Sequence, residues 1–310
     1  MMIKRKFIYI PYFGAVFAVL CFSISHLFAQ SYRWNKIVSD QFVVFYLDND
    51  RNDAEDILSK LQEEYPRLKQ AIGAELLAPI NIYLSNSERV YKHIVGNNLP
   101  EWSAGAALPA HRVMVLKSYN TNSDFRKTAI HELVHLLIDE AMNSVQIPRW
   151  LNEGLAVYFS GEKNFASTSL ISKALMTQSI IDLSDIDYVL TFHESKAQLA
   201  YQESYLAVKY LIENYGVQSV REIIKKIAIT NDPDKAFMSA IGMDMYNFEY
   251  EWYQYVRKNY RWHFLAEFDT YLWMSLPLLF IVIYIIIRIR NRKTLKRWES
   301  EESYFDEDEI

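Results

Sequence analysis

Cysteine is almost absent from this chain. The only one, Cys21, lies in an apolar stretch near the N terminus, so the rest of the sequence offers no disulfide and no thiolate metal ligand. Leu20 occupies the position where a lipoprotein signal needs a small residue, which disfavours lipidation at Cys21. The remainder of the chain must therefore rely on its hydrophobic core, as an exported protein of this size is able to do.

An excess of positive charge is also lacking. The net charge is -5, and the charges are segregated: basic residues open the chain and cluster between 288 and 297, whereas acidic residues crowd 299–309. Without these terminal clusters the central region is acidic, which argues against nucleic acid as a partner. With 310 residues, 51% of them hydrophobic, the chain can form one large domain or two small ones, plus membrane segments. We find no internal repeat.

The N terminus has the pattern of an export signal. Three basic residues precede an apolar run from Phe7 to Ala29, which predicts a signal peptide at 1–29, cleaved after Ala29. The run is long for a signal peptide, so an uncleaved anchor is the alternative. Both interpretations place the residues that follow on the far side of a membrane.

A second apolar run extends from Tyr271 to Ile287. A buried core helix is the alternative, but the run has no polar face, aromatic residues mark its start and a basic cluster follows it. We therefore predict a juxtamembrane linker at 263–270, a transmembrane helix at 271–288 and a cytoplasmic tail at 289–310. These segments predict a single-pass membrane protein whose domain at 30–262 is extracytoplasmic.

The middle of the chain predicts an α+β fold, in which a small mixed sheet with helices precedes a helical half. Strands are predicted at 42–47, 80–84 and within 106–117, and helices at 53–72, from Ser85 or Ser87 to 95, 149–159, 197–214, 217–228, 232–241 and 245–259. A further helix, capped by Asn122 or Ser123, carries the motif described next. Its predicted core face is an apolar stripe formed by Ile130, Leu133, Val134, Leu137 and Ala141. Val113 to Lys117 is either an edge strand that pairs with an extended peptide or an ordinary structural strand.

His131 and His135 belong to the sequence His-Glu-Leu-Val-His. Four positions separate the two imidazoles, so a helix places them on one face, one turn apart, where they can share a metal ion. Glu132 projects about 100° away from His131. It can reach a water that the metal acidifies without displacing a histidine.

A catalytic zinc ion needs a third protein ligand and one open position. Glu153 is the candidate, on a helix that begins near Pro148 and can turn back against the motif helix. Gly154 follows it, and a glycine inside a helix costs about 1 kcal/mol relative to alanine. We therefore expect Gly154 to mark a close approach between helices. On its own, Glu153 is equally well explained as a solvated helix residue.

These residues resemble the gluzincin metallopeptidases, in particular the small peptidase MA-like group. The similarity lies in His131-Glu132-x-x-His135, followed by Trp150-Leu151-x-Glu153-Gly154-Leu155-Ala156, and less specifically in the tyrosine-rich segment from Tyr201 to Tyr215. It covers most of residues 40–258 and implies a zincin fold with a thermolysin-like core, one Zn²⁺ per chain and peptide-bond hydrolysis. Better-known gluzincins have an aspartate four residues after the glutamate ligand, where this chain has Val157. The support for the histidines must then come from elsewhere, for example Asp139.

The predicted mechanism is metal-assisted hydrolysis of a peptide or protein substrate. His131, His135 and Glu153 hold zinc, and Glu132 takes a proton from water and returns it to the leaving amine. Tyr201 is the candidate donor to the developing oxyanion, because the resemblance places a tyrosine of that helix near the site. The alternatives are Tyr205, Tyr158 and His193.

Two rival hypotheses remain. The chain is either a membrane-tethered binding protein whose zinc site has lost turnover, or a structural ectodomain with a chance motif. Glu132 argues against the first rival, since a purely structural zinc site needs no base. The sequence predicts neither the substrate nor the oligomeric state.

Overall fold

The computed structural model describes residues 32–47, 49–96, 103–119, 124–143, 145–162 and 168–307; the side chains of 190, 264–272, 274 and 299–307 are outside this description. The predicted signal peptide or anchor at 1–29 lies outside the described residues. Within them the chain is a mixed α+β structure, mostly helical with a small mixed sheet, as the sequence predicts.

The sheet has five strands in the described part of the chain. They are β1 (Asn35–Val38), β2 (Phe42–Tyr46), β3 (Ile80–Ser85), β4 (Gly105–Leu108) and β5 (Val113–Lys117), in the order β1-β2-β3-β5-β4. The pairs β2–β3 and β3–β5 are parallel, while the outer strands pair antiparallel with their neighbours. Burial alternates along β2, so one face of that strand packs on the core.

The segment predicted to hold a single strand within 106–117 instead forms a hairpin. Pro109 begins a short 3-10 turn, and Arg112 adopts a left-handed backbone conformation (φ 53°), so the chain reverses between β4 and β5. As a result β5 lies inside the sheet, so of the two interpretations of Val113 to Lys117 the ordinary structural strand is confirmed and the edge strand was wrong. Among the described strands the free edge on this side is β4, and the sequence did not reveal β1 at all.

Ten α-helices are present in the described residues. They are α1 (Arg51–Ile72), α2 (Glu88–Val95), α3 (Phe125–Met142), α4 (Arg149–Ser160), α5 (Ser169–Thr177), α6 (Glu194–Tyr215), α7 (Val217–Thr230), α8 (Pro233–Ile241), α9 (Met245–Tyr260) and α10 (Phe264–Glu307). The helices predicted between residues 53 and 259 are present within a few residues of their expected ends. A 3-10 segment at Leu183–Thr191 and α5 lie where the sequence shows no clear pattern.

The motif lies in α3, which is buried on most sides. Its apolar residues Ile130, Leu133, Val134 and Leu137 are all in the core, as the stripe in the sequence predicts. The helix is capped by Asp124, whose carboxylate accepts a hydrogen bond from the backbone N–H of Arg126 at 3.3 Å. The predicted caps, Asn122 and Ser123, lie outside the described residues.

Gly154 lies where α4 crosses α6. A Cβ atom at this position would be 2.3 Å from the backbone oxygen of Ser204 and 2.7 Å from a methyl group of Val208. Only glycine fits at that distance, so the expected close approach between helices is confirmed. The partner is α6. On its other side α4 packs against α3, and this arrangement fixes Glu153 relative to the motif.

The helix α10 runs through the segments predicted as linker, transmembrane helix and tail. Among residues with described side chains, no helix combines the length and apolar character needed to cross a membrane. In that part of α10 the continuous run without charged residues extends from Ser275 to Ile287, and Arg288, Arg290 and Arg292 follow it. The predicted span at 271–288 is therefore not supported by the described residues; the side chains of 271, 272 and 274 lie outside them.

Candidate metal centre

Three potential metal ligands from two helices converge at one point. The Nε2 atoms of His131 and His135, both on α3, lie 3.8 Å and 3.5 Å from Oε2 of Glu153 on α4. One donor atom from each residue can be chosen so that all lie within 4.8 Å of one another. The spacing of four residues on α3 brings the two imidazole rings to a centroid distance of 4.8 Å.

Two imidazole nitrogens and one carboxylate oxygen form a donor set that suits zinc with one coordination position left open. All three residues are largely buried, and their side chains are at most 17% exposed. A cluster of this kind needs a compensating charge, because buried charges are unfavourable unless they are paired or bind a metal ion. The residues of this site therefore fit a divalent metal ion.

The electrostatics of the cluster show how strongly its members interact. Burial alone would lower the pKa of His131, but the carboxylates of Glu162, Glu132 and Glu153 outweigh it and raise that pKa to about 9. Burial alone would raise the pKa of Glu153, yet the two histidines and Arg149 lower it to about 2. The Glu153 carboxylate is thus held in the ionised form that a metal ligand requires.

Glu132 is buried beside the two histidines, as its position in the motif predicts. Burial is the main influence on its carboxyl group and raises its pKa, while the histidines oppose that shift. A Cβ atom added to Gly105 of β4 would lie 3.2 Å from Oε1 of Glu132, so the free edge strand passes close to this carboxylate. A raised pKa suits a group that must accept and then return a proton near neutral pH.

The second nitrogen of each imidazole ring faces a residue that the motif does not contain. Oδ1 of Asn152 lies 2.8 Å from Nδ1 of His135. Because an amide oxygen only accepts hydrogen bonds, Nδ1 carries the hydrogen and Nε2 keeps its lone pair for a metal. Oε2 of Glu162 lies 3.5 Å from Nδ1 of His131.

Positions 157 and 139, where the sequence suggested a partner for the histidine rings, do not provide one in the described residues. Val157 is buried in the core, and Asp139 is an exposed residue at the cleft. Among the described residues, we find no contact between Asp139 and either histidine ring. Asn152 could have been suspected from its place next to Glu153. Glu162 lies beyond the end of α4, and no spacing rule would have singled it out.

Arg149 is a further residue that the sequence did not single out. Its Nη1 atom lies 3.1 Å from Oε1 of Glu153, the oxygen that does not face the histidines, and its backbone N–H donates to Asp187 at 2.9 Å. Arg149 thereby fixes the orientation of the Glu153 carboxylate. One oxygen is engaged by the guanidinium group, and the other points to the imidazoles.

Among the candidate oxyanion donors, Tyr201 is the one whose hydroxyl is influenced by the charged residues of the cluster. Burial is the main cause of its raised pKa, and the charges of Glu153, Glu132 and Glu162 also act on its hydroxyl. The charged and titratable groups around Tyr205 are instead Lys209, Tyr158, Tyr260 and Glu213. Tyr158 packs on Phe159 and Tyr205, and His193 is exposed at the start of α6.

The cluster opens into a cavity of about 590 Å³. Glu132, His135 and Glu153 line this cavity, together with Ala107 of the edge strand and the apolar side chains of Met142 and Ile147. A larger cavity of about 820 Å³ lies near α5 and α9 and shares none of these residues. The smaller cavity is the candidate active site because it contains the chemically reactive groups.

The fold and this site define a class of α+β proteins with a two-helix His-His-Glu cluster. Residues 61–258 match the Peptidase MA superfamily. The match spans more than half of the chain, which therefore belongs to this superfamily. No curated protein matches the sequence significantly. Membership in the superfamily indicates a peptidase, and thus a hydrolase acting on peptides or proteins.

Proposed function

We propose that this chain is a zinc-dependent peptidase in which His131, His135 and Glu153 hold one Zn²⁺. The observation that carries this proposal is the convergence of the two Nε2 atoms on one oxygen of Glu153, beside the buried Glu132. A zinc ion at this place would supply Lewis acidity, which makes a water molecule more acidic and stabilises negative charge on a carbonyl oxygen.

The residues of the chain then have separate roles. Glu132 accepts a proton from the attacking water, because its carboxylate is adjacent to the ligand set and its pKa is raised by burial. It returns that proton to the nitrogen of the leaving amine when the C–N bond breaks. Tyr201 stays protonated, since burial raises its pKa, and it donates a hydrogen bond to the developing oxyanion.

The free edge of the sheet offers a place for the substrate. Lys117 donates a backbone hydrogen bond to Ala104, and the register pairs Gly105 with Leu116 and Ala107 with Met114. Hydrogen-bonded and non-hydrogen-bonded pairs alternate in an antiparallel ladder, so the backbone groups of Gly105 and Ala107 point away from β5. Tyr91 already donates to the Gly105 oxygen at 3.0 Å. Ala107 is left to pair with an extended peptide in the cleft.

Comparison of the intact chain with Glu132→Gln tests this function. The amide that replaces the carboxylate cannot accept the proton, so we expect equal zinc content and a loss of peptide cleavage of about 10²- to 10⁴-fold. Glu140→Gln is the matched control: Glu140 lies on the same helix, pairs with Arg112 and does not line the cavity. A peptide library left intact by the zinc-loaded chain would favour the rival binding-protein hypothesis. A chain that holds no zinc would contradict both.

We also propose that α10 associates the chain with a membrane and that the peptidase domain is extracytoplasmic. The support is a run of exposed apolar side chains from Leu278 to Ile287, bounded by the basic cluster that begins at Arg288. We expect the intact chain to stay in the membrane fraction after an alkaline wash, and Ile281→Asp with Ile285→Asp to release it. Release of the unaltered chain by the same wash would contradict the proposal.

A further inference from the structure

We propose that Glu162 is the positioning residue for His131: its carboxylate accepts a hydrogen bond from Nδ1–H and so turns Nε2 toward the metal. This inference rests on the proposed zinc site. It concerns the position where the chain departs from better-known gluzincins, because Val157 replaces the usual aspartate and its side chain is buried in the core. The sequence therefore left the support of His131 open.

The first observation is that one ring nitrogen of His131 lacks a hydrogen-bond partner among the described residues. Its Nδ1 atom is buried and forms no regular hydrogen bond to any described residue. The carboxylate oxygen Oε2 of Glu162 is 3.5 Å away, slightly beyond hydrogen-bond distance. Buried polar groups are nearly always bonded. A small movement of either side chain would satisfy this one, and the Glu162 side chain, only 19% exposed, is confined near it.

The path of the backbone is the second observation. Helix α4 ends at Ser160 and is capped by Gly161, which has a left-handed conformation (φ 65°) and donates its N–H to the oxygen of Val157. This cap turns the chain sharply away from the helix axis. Glu162 is the next residue, so the turn brings a carboxylate back toward His131 from beyond the helix end. The position within α4 that serves this role in other gluzincins instead packs into the core.

The two histidines then have different supports. Asn152 presents a neutral amide oxygen to His135, whereas Glu162 presents a carboxylate to His131. In both rings Nδ1 becomes the donor and Nε2 keeps its lone pair. A carboxylate partner also makes an imidazole a stronger base and a stronger ligand. Glu162 therefore contributes to metal affinity through His131 without touching the metal or the substrate.

The test is a zinc titration of the metal-free intact chain in competition with a chromophoric chelator. We expect Glu162→Ala to weaken zinc binding by about 10- to 100-fold, and Glu162→Gln, which keeps an acceptor without the charge, to fall between Glu162→Ala and the unaltered chain. Asp139→Asn is the matched control, since Asp139 lines the cleft but does not contact the rings. It should bind zinc as tightly as the unaltered chain.

The visible spectrum of the cobalt-substituted chain is a second readout that a purely structural role would not change. A reoriented His131 should shift the cobalt ligand-field bands in the Glu162 variants and not in Asp139→Asn. If Glu162→Ala does not fold, the zinc affinity and the cobalt spectrum of Glu162→Gln provide the test. Unchanged affinity and spectra in the Glu162 variants would overturn this inference and leave the zinc peptidase intact, whereas an unaltered chain that binds no zinc would overturn both.

Discussion

The amide oxygen of Asn152 lies 2.8 Å from Nδ1 of His135. The residue next to the proposed ligand Glu153 therefore orients one of the other two ligands. Helix α4 thus contributes to the site twice, through the proposed ligand Glu153 and through the hydrogen bond between Asn152 and His135. The contact is short and partly buried, so its loss should be measurable.

We expect Asn152→Ala to lower zinc affinity by about 10- to 100-fold, because His135 would lose the bond that fixes its ring orientation. Chelator competition on the intact chain measures this effect. Asn259→Ala removes an exposed asparagine on α9 and is the control, with no expected change. Equal affinity of Asn152→Ala and the unaltered chain would show that the contact does not support the metal site.

The crossing of α4 and α6 gives a prediction for stability. Gly154→Ala would place a methyl group 2.3 Å from the Ser204 backbone oxygen, so the helices must separate. We expect the free energy of unfolding to fall by about 1–3 kcal/mol or more, as in other overpacked cores. Urea unfolding measures it. Ser195→Ala at an exposed position of α6 should stay within about 0.5 kcal/mol of the unaltered chain. Comparable stabilities of the two variants would contradict the close approach.

The edge strand gives a prediction for substrate binding. Because the N–H of Ala107 points away from β5, Ala107→Pro should preserve the β4–β5 ladder and remove a donor to an extended peptide. We expect kcat/KM for peptides to fall about 10-fold, as for one lost hydrogen bond of about 1.4 kcal/mol. Ala107→Ser keeps the N–H and should retain activity. If Ala107→Pro does not fold, the N–H of Ala107 is needed for the β4–β5 ladder, which would contradict this prediction.

A buried carboxyl group outside the site predicts how stability depends on pH. Glu203 is fully buried, both of its oxygens lie 3.2 Å from the backbone nitrogen of Ile181, and burial raises its pKa well above 4.5. The folded chain therefore holds this proton at pH values where the unfolded chain has released it. Stability from this group is greatest below about pH 4.5 and falls as the pH rises toward the folded pKa, by at most about 1.4 kcal/mol per pH unit.

Glu203→Gln keeps an acceptor for Ile181 and cannot ionise. We expect the variant to gain stability relative to the unaltered chain as the pH rises above about 5, with little difference at about pH 4. Urea unfolding across this range is the measurement. Glu222→Gln, an exposed substitution on α7, should show no such trend. A stability difference for Glu203→Gln that is independent of pH would mean that Glu203 does not titrate as its burial requires.

Much of the fold follows from the sequence because it depends on local periodicity. The apolar stripe of α3 and the spacing of His131 and His135 determine which faces meet the core and the metal site, and both were predicted. Gly154 indicated a close helix approach because few other reasons exist for a glycine inside a buried helix. These inferences depend only on the type and spacing of residues within a single helix.

The remaining features depend on contacts between distant segments. The hairpin of β4 and β5 was missed because a proline and a non-glycine residue at positive φ interrupt an otherwise continuous apolar pattern. Glu162 was missed because its role depends on the turn at Gly161, which ends α4. The choice of Tyr201 over Tyr205 rests on which charges surround each hydroxyl, and a helical pattern alone does not distinguish them.

Peptide cleavage by the metal-free intact chain, measured as zinc is added back, tests the proposed zinc peptidase most directly. We expect no cleavage without zinc and full activity at about one zinc ion per chain, the number that a single cluster of this type holds. We also expect Glu132→Gln to take up zinc equally and to stay at least about 10²-fold less active. Cleavage that persists without metal, or that is unaffected by Glu132→Gln, would contradict this proposal.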